Sequence, residues 1–143
     1  MEKILISACL VGDKTRYDGK HNLNPSISQL LEKYELVPFC PEVEGGLPTP
    51  RNPSEIKGDK VIMDNGHDVT DNFKEGAIKA LMLCQFLKIK IAVLKERSPS
   101  CGTHQVHDGS FKNKLIEGMG ITAKLLKENN IDVYSEDEID KLL

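Results

Sequence analysis

Tryptophan is absent, and aromatic residues make up only 5% of the 143 residues. With a formal charge of -3 as well, the chain lacks the basic, stacking-rich surface that nucleic-acid-binding proteins present, so direct binding of nucleic acid is not expected. No apolar run approaches the roughly 20 residues that cross a bilayer, which argues against a membrane partner. No export signal is expected either. Ile6-Ser7-Ala8-Cys9 has the small residues of a lipoprotein box, but Glu2 and Lys3 leave only Ile4 and Leu5 ahead of it. A secretory signal needs an apolar stretch of roughly 7–15 residues. These residues read instead as a buried strand, and a cytoplasmic location is expected.

What the chain does contain is ordinary globular material: 39% hydrophobic and 29% charged residues. Its length suits one domain, residues 1–143, large enough to bury a core. Strand and helix patterns alternate without an internal repeat. Lys3 to Ala8, Glu35 to Phe39, Ile89 to Leu94 and Ile131 to Tyr134 read as strands. A short helix follows Pro25, with Ile27, Leu30 and Leu31 apolar and Asn24 a candidate cap. The longest helix, about Asn72 to Leu87, starts at a Thr70 or Asp71 cap; Phe73, Ala77, Ala80, Leu81, Cys84 and Leu87 mark its buried face. Further helices are predicted from Gly120 to about Asn129 and from Glu136 to Leu142. Pro41 to Pro53 reads as an irregular loop, Val61 to Val69 as a hairpin turning at Asn65-Gly66, and Asp108-Gly109 as a tight turn. The succession predicts a three-layer α/β domain, Rossmann-like or flavodoxin-like, with a largely parallel sheet in the order 2-1-3-4.

In that topology Cys9, Cys40 and Cys101 each fall where a strand gives way to a loop. Parallel strands gather their ends on one edge, so three thiols far apart in sequence converge. Four cysteines in a cytosolic protein are reduced, metal-binding or catalytic rather than disulfide-paired. Cys84 is the contrast: it lies on the apolar face of the long helix and reads as core packing. The wide gaps between the other three match neither a zinc ribbon nor a compact ferredoxin run. Three thiolates suit a four-iron cluster with one iron left open, or zinc with water or His104 as fourth ligand. Either centre would polarise an atom bound at its open position.

Longer blocks surround these cysteines: Ser7 to Gly12 with Arg16-Tyr17-Asp18-Gly19, Pro38 to Arg51, and Leu94 to Gly102, followed by Asp108-Gly109 and Gly118 to Ala123. Together they resemble the small bacterial thiouracil desulfurase family. The resemblance implies a [4Fe-4S] cluster held by Cys9, Cys40 and Cys101. It also implies non-redox removal of sulfur from thiolated nucleobases such as 2-thiouracil, for which hydrolysis at the thiocarbonyl carbon is the expected route. Related domains occur in larger proteins acting on thiolated tRNA, which leaves the substrate open. The alternatives are a zinc-dependent hydrolase using the same thiols and a non-enzymatic, metal- or cluster-carrying nucleotide-binding module.

Catalytic candidates are Glu42, two residues beyond Cys40, as the carboxylate that activates water or shuttles protons, and Ser98 or Ser100 as hydrogen-bond donors. Ser98 is preferred, although either serine also suits simple turn-shaping. Arg51, Tyr17 and Asp18 are candidate substrate contacts; Arg51 would otherwise tie down its loop, and Asp18-Gly19 is ordinary turn chemistry. His104 and His107 are the weaker metal candidates.

Overall fold

The structure, a computed structural model, describes residues Met1–Leu143. Its centre is a four-stranded, all-parallel sheet built from β1 (Glu2–Ser7), β2 (Tyr34–Phe39), β5 (Ile91–Leu94) and β8 (Asp132–Ser135). Their spatial order is β2-β1-β5-β8, which is the predicted 2-1-3-4 arrangement. Alternation along β1 sends Ile4 and Ile6 to one face and Leu5 to the other, as a two-residue period requires. On the first face they pack with Leu10, Ile27, Leu30, Val93, Ile139 and Leu142. These come from the 3-10 turn Ala8–Val11, helix α1 (Ile27–Lys33), β5 and the C-terminal 3-10 helix Glu136–Leu142. On the second face Leu5, Ala92 and Leu94 meet Ala80 and Cys84 of α3 (Thr70–Leu87) and Ala123 and Leu126 of α4 (Ile121–Glu128). Helices therefore cover both faces, giving three layers.

Several expectations needed correction. Within the stretch expected to be irregular, Pro41–Glu44 forms one α-helical turn, α2. Pro41 sits at its first position, where a missing N–H costs nothing. The main hairpin lies earlier than predicted: β3 (Ser54–Lys57) pairs antiparallel with β4 (Lys60–Met63), so the chain reverses at Gly58-Asp59. Asn65-Gly66 still turns, with the Gly66 N–H bonded to the Met63 carbonyl and an isolated Ile62–Asp68 bridge beyond it. A second hairpin, β6 (Gln105–His107) with β7 (Leu115–Glu117), was not foreseen; Asp108-Gly109 begins its connecting loop. Leu31 is 53% exposed, so only Ile27 and Leu30 anchor α1. Asn24 acts just before that helix, accepting from the Ser26 N–H, while Ser26 is the N-cap. Val69 is the N-cap of α3; the Thr70 hydroxyl instead donates to Asp68 and accepts from the Val61 N–H.

Glycine decides one packing contact. A side chain at Gly76, on α3, would collide with the backbone of Pro41. Its absence lets α2 lie directly on α3, which fixes where Cys40 and Glu42 point. No helix is long and apolar enough to cross a membrane.

Candidate active site

Cys9, Cys40 and Cys101 all line one cavity of about 640 Å³ at the C-terminal edge of the parallel sheet. That volume lies within the roughly 300–1,000 Å³ range of small-molecule sites. Ligands in open α/β sheets bind at this edge, at the point where strand order reverses; here that is between β1 and β5.

Each thiol reaches the cavity by a different local device. Cys9 lies in the 3-10 turn directly after β1, and its sulfur accepts from Asn22 Nδ2 at 3.4 Å. Asn22 is oriented in turn by Arg16 Nη1 at 2.9 Å, and Arg16 pairs with Asp18 at 2.8 Å. Cys40 closes β2 and caps α2, its thiol 3.9 Å from the Thr15 carbonyl. Cys101 is carried by the loop after β5.

That loop is held by two side chains. Ser98 Oγ accepts the N–H groups of Ser100 and Cys101, both at 3.1 Å. The buried Glu96 carboxylate accepts from the N–H groups of Thr103, His104 and Gln105 and from the Thr103 hydroxyl, at 2.8–3.1 Å. Burial pushes the Glu96 carboxyl up, but these hydrogen bonds win and hold it below the usual carboxylate range.

Electrostatics separate the three thiols from the fourth. Burial raises Cys9, Cys40 and Cys101 above an ordinary thiol, Cys101 most of all. Negative charge on Cys40 or Cys9 would raise Cys101 further, and charge on Cys40 raises Cys9. The trio therefore occupies one field, and ionising all of it calls for a compensating cation. Cys84 is raised to about 11 by burial alone and packs in the core as predicted. No three His, Cys, Asp or Glu side chains close around a point as the ligands of a single ion do. His104 is directed elsewhere, its Nε2 2.7 Å from Glu138 Oε1, and only His107 of the two histidines lines the cavity.

Glu42 faces the cavity from α2 and is clamped by Arg51, whose Nε lies 3.1 Å from Glu42 Oε1. Burial raises the Glu42 carboxyl, with Arg51 and the Ser98 hydroxyl pulling the other way. The Arg51 side chain is only 3% exposed and also donates to the Thr15 and Pro48 carbonyls and the Thr49 hydroxyl. Its donors are committed to the protein, so the loop-tying reading of Arg51 has the geometric support. Ser98 lines the cavity, whereas Ser100 is buried behind it, 2.7 Å from the Thr122 hydroxyl. Tyr17 lines the cavity mouth and is 45% exposed. Asp18 stands behind Arg16 and does not border the cavity.

Among the lining residues not singled out from sequence are Ser7, Thr15, Asn22 and Glu55. Ser7 offered a usable signal, since it lies near the end of the predicted first strand, two positions before Cys9. Its hydroxyl accepts the Lys95 N–H at 2.9 Å and bonds the Cys101 thiol, joining the ends of β1 and β5. Thr15, Asn22 and Glu55 sit in polar stretches without periodicity and gave none.

Comparison with known proteins places the fold and the family. The family model described as 2-thiouracil desulfurase matches residues 4–138. The uncharacterised protein YbbK of Bacillus subtilis (strain 168) is 39% identical, over 98% of this chain and 99% of its own length. A solved structure, the [4Fe-4S]-dependent thiouracil desulfidase TudS, superposes with a TM-score of 0.94 at 44% identity, covering 99% of this chain and 95% of that one. With the family match spanning nearly its whole length, the chain belongs to the 2-thiouracil desulfurase family.

Proposed function

We propose that this protein is an iron–sulfur-dependent desulfurase that converts a thiolated pyrimidine such as 2-thiouracil into its oxo form and releases sulfide. The observation that carries the reading is the convergence of Cys9, Cys40 and Cys101 on one cavity that also holds Glu42 and Ser98. Family membership and the likeness to TudS support it.

The residues present fit a [4Fe-4S] group. Three thiols share one field and line one cavity. The Thr15 hydroxyl oxygen, buried beside them, has no partner within the protein. Cys9, Cys40 and Cys101 would hold the cluster, which when bound supplies an open iron as a Lewis acid for the thiocarbonyl sulfur.

The protein's own groups account for the rest of the chemistry. A thiocarbonyl plus water gives a carbonyl plus hydrogen sulfide, so one oxygen replaces one sulfur with no change in net oxidation state. Glu42 takes a proton from the attacking water and returns one to the departing sulfur. Arg51 and Ser98 hold its carboxylate in one orientation, which keeps the proton acceptor aimed at the reacting carbon. Four free thiols suit a reducing compartment, the cytoplasm.

The test is anaerobic reconstitution followed by a sulfide-release assay across several thiolated bases. 2-Thiouracil is expected to yield uracil and sulfide. Glu42→Gln is expected to retain iron and lose about 100-fold or more in kcat, in line with general acid–base contributions. Cys101→Ala abolishes cluster retention, whereas Cys84→Ala keeps it. Full iron content with no turnover on any thiolated base would replace the enzyme by a cluster-carrying binding module.

A further inference from the structure

Backbone strain is concentrated around the cavity. Five non-glycine residues adopt the left-handed conformation, and three of them line it: Arg97 (φ 70°), Phe111 (φ 58°) and Asn113 (φ 58°). The other two, Lys88 and Asn130, reverse the chain after α3 and α4. Asparagine tolerates this region, but a bulky aromatic does not, and such outliers collect at ligand sites.

Phe111 is held there by dedicated contacts. The Glu55 carboxylate, 9% exposed, accepts the Gly109 N–H at 2.9 Å and the Phe111 N–H at 3.1 Å. Gly109 permits the approach, because a side chain there would strike the carbonyl of Ile56 on β3. Lys57 Nζ lies over the phenyl ring, 5.6 Å from its centroid. Yet Phe111 belongs to none of the three apolar cores. A phenyl ring kept in an unfavourable backbone state, outside every core and against the cavity, is placed for something that enters the cavity.

We propose that Phe111 is the surface on which the substrate's pyrimidine ring stacks, and that Glu55 is the positioning residue that holds it. This rests on the desulfurase reading, which supplies the planar ring. Aromatic faces bind such rings by offset stacking, and that energy falls in the binding step.

The chain has no tryptophan, so Phe111→Trp places a single indole at the cavity. Titrating the reconstituted Phe111→Trp enzyme with uracil, which carries no sulfur, is expected to change its emission saturably. Dihydrouracil, with the same polar edge but no aromatic ring, is expected to bind roughly tenfold more weakly. In thiouracil turnover, Phe111→Leu raises KM about tenfold while moving kcat far less, and Phe111→Tyr restores KM. Glu55→Ala raises KM similarly, and the Glu55→Ala/Phe111→Leu double variant is no worse than Phe111→Leu alone.

Normal turnover with no emission change and an unaltered KM in Phe111→Leu removes the stacking site and leaves the desulfurase. Saturable uracil binding in an enzyme that desulfurates no thiolated base removes the desulfurase and leaves the stacking site. Additive losses in the double variant remove Glu55 from the proposal.

Discussion

Thr15 accepts Arg51 Nη2 on its carbonyl at 2.8 Å and stands beside the Cys40 thiol, yet its own hydroxyl oxygen is buried without a partner. An unpaired buried hydroxyl costs about 1–3 kcal/mol. Thr15→Val removes that cost while keeping the shape. The variant is expected to stabilise the cluster-free protein by about 1 kcal/mol in urea denaturation, and to weaken substrate binding or turnover in the loaded enzyme. Lower stability in the valine variant would mean that the hydroxyl already has a partner. At this scale the sequence was informative where a period or topology constrained direction. The three site thiols and the core thiol Cys84 were separable because strand ends and a helix face set where each points. Ser98 and Ser100 were not separable, because no period governs a turn; one faces the cavity and the other faces Thr122. Arg51 was ambiguous for a related reason: the contacts that commit its guanidinium come from residues up to 36 positions away.

Among elements, α2 lies tightly on α3, where Gly76 leaves no room for a side chain against Pro41. Gly76→Ala improves intrinsic helix propensity by about 1 kcal/mol, but overpacking costs typically 1–3 kcal/mol. Net destabilisation is therefore expected. Because α2 starts immediately after Cys40 and carries Glu42, the displacement should also lower iron retention after reconstitution. Denaturation midpoints and iron-to-protein ratios measure the two effects; an unchanged midpoint would show that α2 can move aside freely. The long, periodic elements were legible: α3 was expected to end at Leu87 and does. The turn α2 was not, since four residues in a proline- and glycine-rich stretch carry no measurable period. The three-residue strands β6 and β7 were hidden for the same reason. The β3–β4 hairpin was misplaced because Asn65-Gly66 advertises a turn more strongly than Gly58-Asp59.

Over the whole molecule, the C-terminal segment secures the loop that carries Cys101. Glu136 accepts the Glu96 N–H at 2.7 Å and pairs with Lys95 at 2.8 Å, while Glu138 reaches His104 at 2.7 Å and Lys141 at 2.8 Å. Alternating strands and helices gave the 2-1-3-4 order, but contacts across some 40 residues have no signature in a single sequence. Burial raises the Glu138 carboxyl, yet Lys141, the Ser135 N–H and His104 together bring it down to about 2. An unfolded glutamate titrates near 4.3. The folded state therefore binds its proton less readily, and the resulting stability is fully present above about 4.3. It disappears as pH falls from there towards 2. Solvent screening limits the contribution to about 1 kcal/mol. Urea denaturation of cluster-free native protein and Glu138→Gln should show the native chain more stable at pH 7 by about that amount, with the gap closing as the pH is lowered from 4.5 to 2.5. A gap that persists unchanged at the acid end would assign the stabilisation to packing of the C-terminal helix rather than to the charge on Glu138.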